Sequence, residues 1–284
     1  MFHLSRWLRL SEAFTRLNRP VVVVDLESTG GNLYQDRVTE IAFLRFENGR
    51  VEHYEQLINP GKPIPEFVVQ LTGITNEMVA QAPAFDQIAP DILPLLRGSL
   101  IVAHNSRFDY TFLRHEFCRA GIDFAAPALC TVQLSRRLYP QFYKHNLDSI
   151  ISRMGIQTDA RHRALADVLA LADYLEHSLK EKTSDEWDNH CRALMNPKML
   201  PTQLSDSLTA KLYSLPDTVG VLVWFDHSGK VLSVEAYEKT YSEIAALLHS
   251  KEGLQYIQNA ADVKFIPAVG SLHALWLKAQ VMQE

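Results

Sequence analysis

The sequence predicts an α/β protein: a mixed sheet covered by helices, followed by a second, smaller α/β unit. Three observations point there. Val21-Val22-Val23-Val24 is an unbroken β-branched run that ends in Asp25 and reads as a strand buried on both faces. Val38 to Phe46 and Val51 to Ile58 flank Asn48-Gly49, a strong hairpin signal. Beyond the hairpin, short apolar runs alternate with segments of helical spacing, the pattern of strands covered by helices.

In chain order, residues 1–19 carry Arg6, Arg9, Arg16 and Arg19 among scattered Leu, Phe and Trp. They lack the continuous apolar stretch and small-residue cleavage site of a signal peptide, so a short amphipathic helix packed on the domain is expected. Pro65 to Val69 and Asp86 to Leu96 read as helices, and Ser99 to Ala103 as a second core strand running into His104-Asn105. A helix follows from Asp109, with Phe108, Phe112, Leu113 and Phe117 at helical spacing and Gly121 as its stop. Leu129 to Val132 reads as a short strand, and Leu147 to Met154 and Ala164 to Leu179 as helices. A polar stretch at 181–204, punctuated by Asn196-Pro197 and Pro201, predicts a linker between a domain at 20–180 and a unit at 205–284. In that unit Val219 to Phe225 and Val231 to Val234 flank a turn at Asp226-His227-Ser228-Gly229. Helices are expected at Tyr241 to His249 and Leu272 to Met282, around a strand at Val263 to Ile266.

Composition bounds the function classes. The chain is 47% hydrophobic and 21% charged, which is ordinary globular composition, and no apolar run reaches membrane-spanning length. Three cysteines, without C-x-x-C spacing, make neither a disulfide framework nor a zinc site and fit a cytoplasmic setting. The net charge of −5 excludes binding of nucleic acid by bulk charge. Residues 1–180 hold 19 Lys+Arg against 20 Asp+Glu and 181–284 hold 9 against 13, so metal-neutralised acids would leave the first part effectively positive.

The acids carry the chemistry. Asp25 and Glu27 are two apart at a strand end, so alternation puts both on one face, where they repel and are costly to desolvate. Hard oxygen donors of this kind suit Mg²⁺ or Mn²⁺. Asp109 follows the second core strand; alone, it would read as a first-turn acid favoured by the helix dipole. His162 and Asp167 are five apart, which separates them on one helix, so His162 is expected on the segment entering the helix and Asp167 one turn inside. Alone, each would read as a loop histidine and a polar helix face.

The order of these residues is what is specific. Val23-Val24-Asp25-Leu26-Glu27-Ser28-Thr29-Gly30, Leu71-Thr72-Gly73-Ile74-Thr75, His104-Asn105-Ser106-Arg107-Phe108-Asp109 and His162-Arg163-Ala164-Leu165-Ala166-Asp167 resemble the DEDDh 3′–5′ exonucleases, in particular the proofreading (epsilon) subunit family of bacterial DNA polymerase III. The resemblance spans about residues 20–180; Ser28 and Thr72 depart from it, where Thr and His are usual. It implies a ribonuclease H-like fold with a mixed five-stranded sheet, and release of nucleoside 5′-monophosphates from 3′ ends. It also implies two Mg²⁺ or Mn²⁺ ions held by Asp25, Glu27, Asp109 and Asp167, with His162 as general base. Thr29 and Gly30 would hold the terminal nucleotide, and His104 and Asn105 would line or brace the site beside Phe108. Arg107, Arg161 and Arg163 would meet phosphates. The implied partner is nucleic acid with a 3′ end, DNA favoured over RNA, in proofreading or repair. RNA trimming and a non-catalytic nucleic-acid-binding role stand as alternatives.

The second unit resembles the GIY-YIG nuclease domain of UvrC type, through Leu215-Pro216-Asp217-Thr218-Val219-Gly220-Val221 and Phe225-Asp226-His227-Ser228-Gly229-Lys230-Val231-Leu232. Leu222 stands where that family has its first Tyr, Ser233-Val234-Glu235 replaces Tyr-Val-Gly, the helix around Tyr241 lacks the Arg, and Lys278 stands at the catalytic Glu. The resemblance therefore implies a unit that binds, positions, dimerises or contacts a protein partner rather than one that cuts; read from the residues alone, the Gly and the Asp-x-x-Gly mark only a strand and a turn of an unrelated small α/β domain.

Overall fold

A computed structural model describes residues 4–283 except 34, 123, 125, 159, 160, 196–199, 202, 214 and 217. The Asn196-Pro197 signal and Asp217 lie outside the described residues. The chain divides into two compact units, Met1–Met195 and Asn196–Glu284.

In the first unit, helix α1 (Leu8–Thr15) precedes strands β1 (Val21–Ser28), β2 (Val38–Glu47) and β3 (Arg50–Leu57). Helices α2 (Glu66–Thr72), α3 (Asn76–Ala80) and α4 (Phe85–Leu96) lead to β4 (Leu100–Ala103). Then come α5 (Arg107–Arg119), β5 (Ala128–Cys130), α6 (Thr131–Leu138), α7 (Leu147–Met154), α8 (Ala164–Glu181) and α9 (Ser184–Met195). The strands form one sheet in the order β3-β2-β1-β4-β5. β1–β2 and β2–β3 pair antiparallel, while β1–β4 and β4–β5 pair parallel, giving the expected mixed sheet.

Alternation along the strands builds two cores. Val21, Val23, Ala42, Leu44, Leu100 and Val102 belong to a cluster with α1, α8 and α9. Val22, Val24, Ile41, Phe43 and Ile101 belong to another with α4 and α5. A strand clad on both faces has no polar side, which is why the four valines run without interruption.

Two expectations needed correction. The polar stretch at 181–204 is not all linker: it contains α9, whose Trp187 and Cys191 are fully buried in the first core. Trp187 packs against Phe14, with ring centroids 6.1 Å apart, and donates Nε1–H to Ser178 Oγ at 2.9 Å. Trp187 and Cys191, with Leu194 and Met195 packed beside them, dock a helix whose other faces are polar, and average composition hides them. The strand expected at Leu129 to Val132 ends at Cys130, and α6 starts at Thr131, whose hydroxyl donates to Ala103 O.

The second unit comprises α10 (Asp206–Tyr213), β6 (Gly220–Asp226), β7 (Val231–Tyr237), α11 (Thr240–Leu248), α12 (Leu254–Asn259), β8 (Ala260–Pro267) and α13 (Ser271–Val281). Its sheet, β7-β6-β8, is antiparallel throughout. Leu222 and Trp224 face one core with Leu208, Leu212 and Ile244, while Val221 and Val223 face the other with Ala274 of α13. Gly220 is required by close approach, since a Cβ there would lie 2.2 Å from the Phe265 ring. Among the described residues no helix is long and apolar enough to cross a membrane.

Trp187→Ala is expected to destabilise the first unit by about 3–5 kcal/mol in urea unfolding, the usual range for a buried aromatic truncated to Ala. Asn189→Ala, on the exposed side of α9, should stay within about 0.5 kcal/mol. Equal effects of the two would contradict the docking of α9.

Candidate metal centre

β1 pairs with β4 only from Val21 to Val23, so past Val23 the two parallel strands separate and open a crevice at their carboxyl ends. Asp25 and Glu27 lie in that stretch, on the same face as Val21 and Val23, the face covered by α8. Asp167 stands in the first turn of α8, its N–H donating to Arg163 O at 3.0 Å. The result is a convergence of three carboxylates: ligand atoms of Asp25, Glu27 and Asp167 all lie within 4.8 Å of one another. Asp109, in the first turn of α5, is buried and adds its charge to the same field.

The electrostatics show what this arrangement lacks. Burial pushes the Asp25 carboxyl well above the usual carboxylate range, reinforced by Asp109 and Glu27. Burial likewise raises Glu27 to about 7, with Glu40 and then Asp109 adding to the effect. Asp109 is raised to about 7, again mainly by burial. Neighbouring buried acids cannot all ionise cheaply unless positive charge enters. Oxygen donors at this spacing fit a hard divalent cation such as Mg²⁺ or Mn²⁺.

Protein cations supply part of the compensation. Arg161 donates through Nη1 to Asp167 and through Nε to Asp148 Oδ1 at 2.7 Å, and its charge lowers the pKa of both Asp25 and Glu27. Arg163 forks onto the fully buried Glu40, with Nη2 at 2.6 Å from Oε1 and Nε at 3.1 Å from Oε2. Glu40 also accepts the Ala164 N–H at 2.8 Å, so it fastens the first residue of α8 to β2. Glu40 is the direct cross-strand neighbour of Glu27, a like-charge pairing that is unfavourable without Arg163.

His162 lies two residues ahead of α8, where the spacing placed it, with left-handed backbone at φ 58°. That conformation is uncommon for an L residue, and the Arg163–Glu40 clamp next to it holds the chain there. Among the described residues the imidazole has no hydrogen-bond partner, which leaves both ring nitrogens available.

The remaining expected contacts divide into exposed groups and internal braces. Arg107 and Asn105 are exposed, and Asn105 turns the chain into α5 with φ 72° while its carbonyl accepts the Phe108 N–H at 2.9 Å. Phe108 is half-buried and packs against Phe112, centroids 4.8 Å apart. Burial holds His104 neutral, with a pKa of about 4, and its Nδ1 lies 2.9 Å from Thr131 Oγ1. Thr29 is 1% exposed; its N–H donates to Arg37 O and its hydroxyl to Asp36 Oδ1, both at 2.9 Å. Its polar groups are spent on shaping the loop, so it orients that loop rather than reaching outwards. Gly30 lies against the same acid, where a Cβ would stand 2.5 Å from Asp36 Oδ2. Arg163, expected at phosphates, is committed to Glu40. Sequence reasoning missed Glu40 and Asp148; the available signal for Glu40 was a lone acid in the apolar run Val38 to Phe46.

The chain matches the Exonuclease family over residues 22–175. It is 34% identical over 167 residues to the DNA polymerase III subunit epsilon of Aquifex aeolicus, covering 58% of this chain and 83% of that one. A Mycobacterium tuberculosis protein named as a bifunctional exonuclease/endonuclease is 34% identical over 223 residues, 75% of this chain and 34% of that protein. That share exceeds residues 1–195, so the similarity continues into the second unit. Of three further curated relatives the chain spans only 12% to 16% of the length. Among solved structures, the nuclease domain of 3′hExo, a DEDDh family member bound to rAMP, superposes with TM-score 0.50 at 16% identity, over 58% of this chain and 94% of that one. That likeness concerns the fold: the first unit is a ribonuclease H-like exonuclease fold.

The raised acids set a pH dependence for the metal-free protein. Between the ordinary carboxylate range and about 7 the folded state holds protons on Glu27 and Asp109 that the unfolded chain has released. Stability in EDTA should therefore fall as pH rises through that window. The thermal midpoint should drop from pH 5 to pH 8, less so in Glu27→Gln, and Mn²⁺ should restore more at pH 8, where protons no longer compete. A slope identical in wild type and Glu27→Gln would contradict the reading.

Proposed function

This chain belongs to the exonuclease family, its first unit being a 3′–5′ exonuclease domain of DEDDh type, and from that premise we propose that it removes nucleoside 5′-monophosphates one at a time from the 3′ end of DNA, in proofreading or repair. The observation that carries the proposal is the convergence of Asp25, Glu27 and Asp167 within 4.8 Å, on a strand end and a helix start brought together by the sheet.

Asp25, Glu27 and Asp167 would hold one divalent ion, and Asp25 with Asp109 a second. When bound, the pair supplies Lewis-acid stabilisation of the developing charge on the phosphoryl group and leaving oxygen. The chain's own residues do the rest. His162, which makes no hydrogen bond among the described residues and is held at the mouth of α8, takes the proton from the attacking water. Arg161 is half-buried between Asp148 and Asp167, so its charge stands ready for a phosphate oxygen once the carboxylates are neutralised otherwise. Glu40 and Arg163 hold the backbone that carries His162, while Asp36 and Arg37 hold the Thr29-Gly30 loop against which the terminal nucleotide would rest.

The second unit, in this reading, binds, dimerises or docks a protein partner and does not cut. Leu222 is buried in its core, and Lys278 Nζ pairs with Glu235 Oε2 at 2.7 Å. The lysine at the position of the catalytic Glu in a UvrC-type nuclease is thus committed to an internal ion pair.

With a 3′-labelled single-stranded DNA oligonucleotide and Mg²⁺ or Mn²⁺, monophosphate release should be abolished by EDTA and by Asp25→Ala. His162→Ala should lose about 10²–10⁴-fold, the usual contribution of a positioned general base. No release in either metal would refute the nuclease assignment, and faster release from a matched RNA oligonucleotide would refute the DNA preference. Asp25→Ala should also leave closed-circular DNA uncut, whereas nicking would restore a cutting role to the second unit.

A further inference from the structure

The segment between α6 and α7 has features that the catalytic proposal does not use. Phe142, Tyr143, Lys144, Asp148 and Arg153 line a shallow, open groove of about 430 Å³. Tyr143 is 96% exposed, yet the backbone that carries it is held from below at several points. His145, itself buried, lies 2.8 Å from Ser135 Oγ through Nδ1 and 2.9 Å from Phe142 O through Nε2. Arg153 Nη1 donates to Lys144 O at 3.2 Å, and its guanidinium stacks on the Phe142 ring, 4.0 Å from the centroid. An aromatic side chain is thereby displayed to solvent on a braced turn, so little ordering entropy remains to be lost when something stacks on it.

The charge of the groove is positive. Among the described residues neither Lys144 nor Arg153 has a carboxylate partner, and the one acid in the lining, Asp148, is already neutralised by Arg161. Arg161 also joins the groove to the candidate metal centre, since it grips Asp148 at one end and Asp167 at the other. An exposed aromatic beside an exposed lysine that has no carboxylate partner among the described residues, continuous with a phosphodiester-cleaving site, is the chemistry that recognises a nucleic-acid strand.

We propose that this groove binds single-stranded nucleic acid a few nucleotides upstream of the 3′ end, a base stacking on Tyr143 and a phosphate pairing with Lys144. The inference rests on the exonuclease reading and adds a strand-holding site beyond the terminal nucleotide. It makes turnover depend on substrate length, because a dinucleotide has no base a few nucleotides upstream of its 3′ end to stack on Tyr143.

The test compares kcat/KM on a twelve-nucleotide single strand and on a dinucleotide, in wild type, Tyr143→Ala and Lys144→Gln, with the full chain and Mn²⁺. The wild-type preference for the longer strand should fall about tenfold in Tyr143→Ala. In Lys144→Gln the log–log salt slope on the longer strand should flatten by about 0.7, one phosphate's worth of counterion release. Tyr143 is solvent-exposed, so the thermal midpoint of its variant should match wild type, which separates a binding effect from misfolding. An unchanged length preference and salt slope would overturn the proposal and leave the face to a protein partner. Wild type that hydrolyses neither substrate would instead refute the exonuclease reading, an outcome distinct from the first.

Discussion

Much of the first unit is organised around negative charge that has nowhere to go. Asp25 and Glu27 project from a central strand into the face covered by α8, Asp109 approaches from α5, Asp167 from α8, and Glu40 lies directly across from Glu27. Desolvation, joined at Glu27 by repulsion from Glu40 and Asp109, raises Glu27 and Asp109 to about 7, so that neither is fully ionised at neutral pH. The fold tolerates this crowding because parallel strands β1 and β4 part company beyond Val23, leaving room for compensating cations.

Compensation is shared unequally. Glu40 is answered within the protein: it is fully buried, receives a forked Arg163 and caps the start of α8 through the Ala164 N–H. A buried ion pair of this kind contributes little net stability, since desolvation offsets most of the attraction, but it fixes geometry. Here it anchors β2 to the start of α8 between His162 and Asp167. Asp25 receives the partial relief of Arg161, and Glu27 that of Arg161 and Arg163, which leaves a deficit suited to a divalent ion. Structural and functional acids are thus told apart by which of them the chain itself neutralises.

Several features of the site were legible in the sequence for a simple reason: they are local. Alternation along β1 places Asp25 and Glu27 on one face whatever else the fold does, and the five-residue separation of His162 and Asp167 rules out a shared helical face. The hairpin at Asn48-Gly49, where both residues have positive φ, follows from turn chemistry alone. The docking of α9 was not legible, because two buried side chains in a charged helix leave average composition unchanged. The commitment of Arg163 to Glu40, 123 residues apart, was hidden for a related reason: an arginine beside a histidine reads the same whether its partner is a phosphate or a distant carboxylate.

By itself, the sequence determined the strand and helix periods, the oxygen-donor character of the site, and the membership that the ordered Asp, Glu, Asp, His and Asp imply. Those properties depend on neighbours in the chain. Tertiary structure alone decided which acids converge, since Asp25 and Asp167 meet only when α8 crosses β1. It also decided that Thr29 and Arg163 are braces, and that Tyr143 stands in solvent beside Lys144, which has no carboxylate partner among the described residues. The physical reason is common to all three: the worth of a charge or an aromatic ring depends on its desolvation and partners, and packing of distant segments sets both.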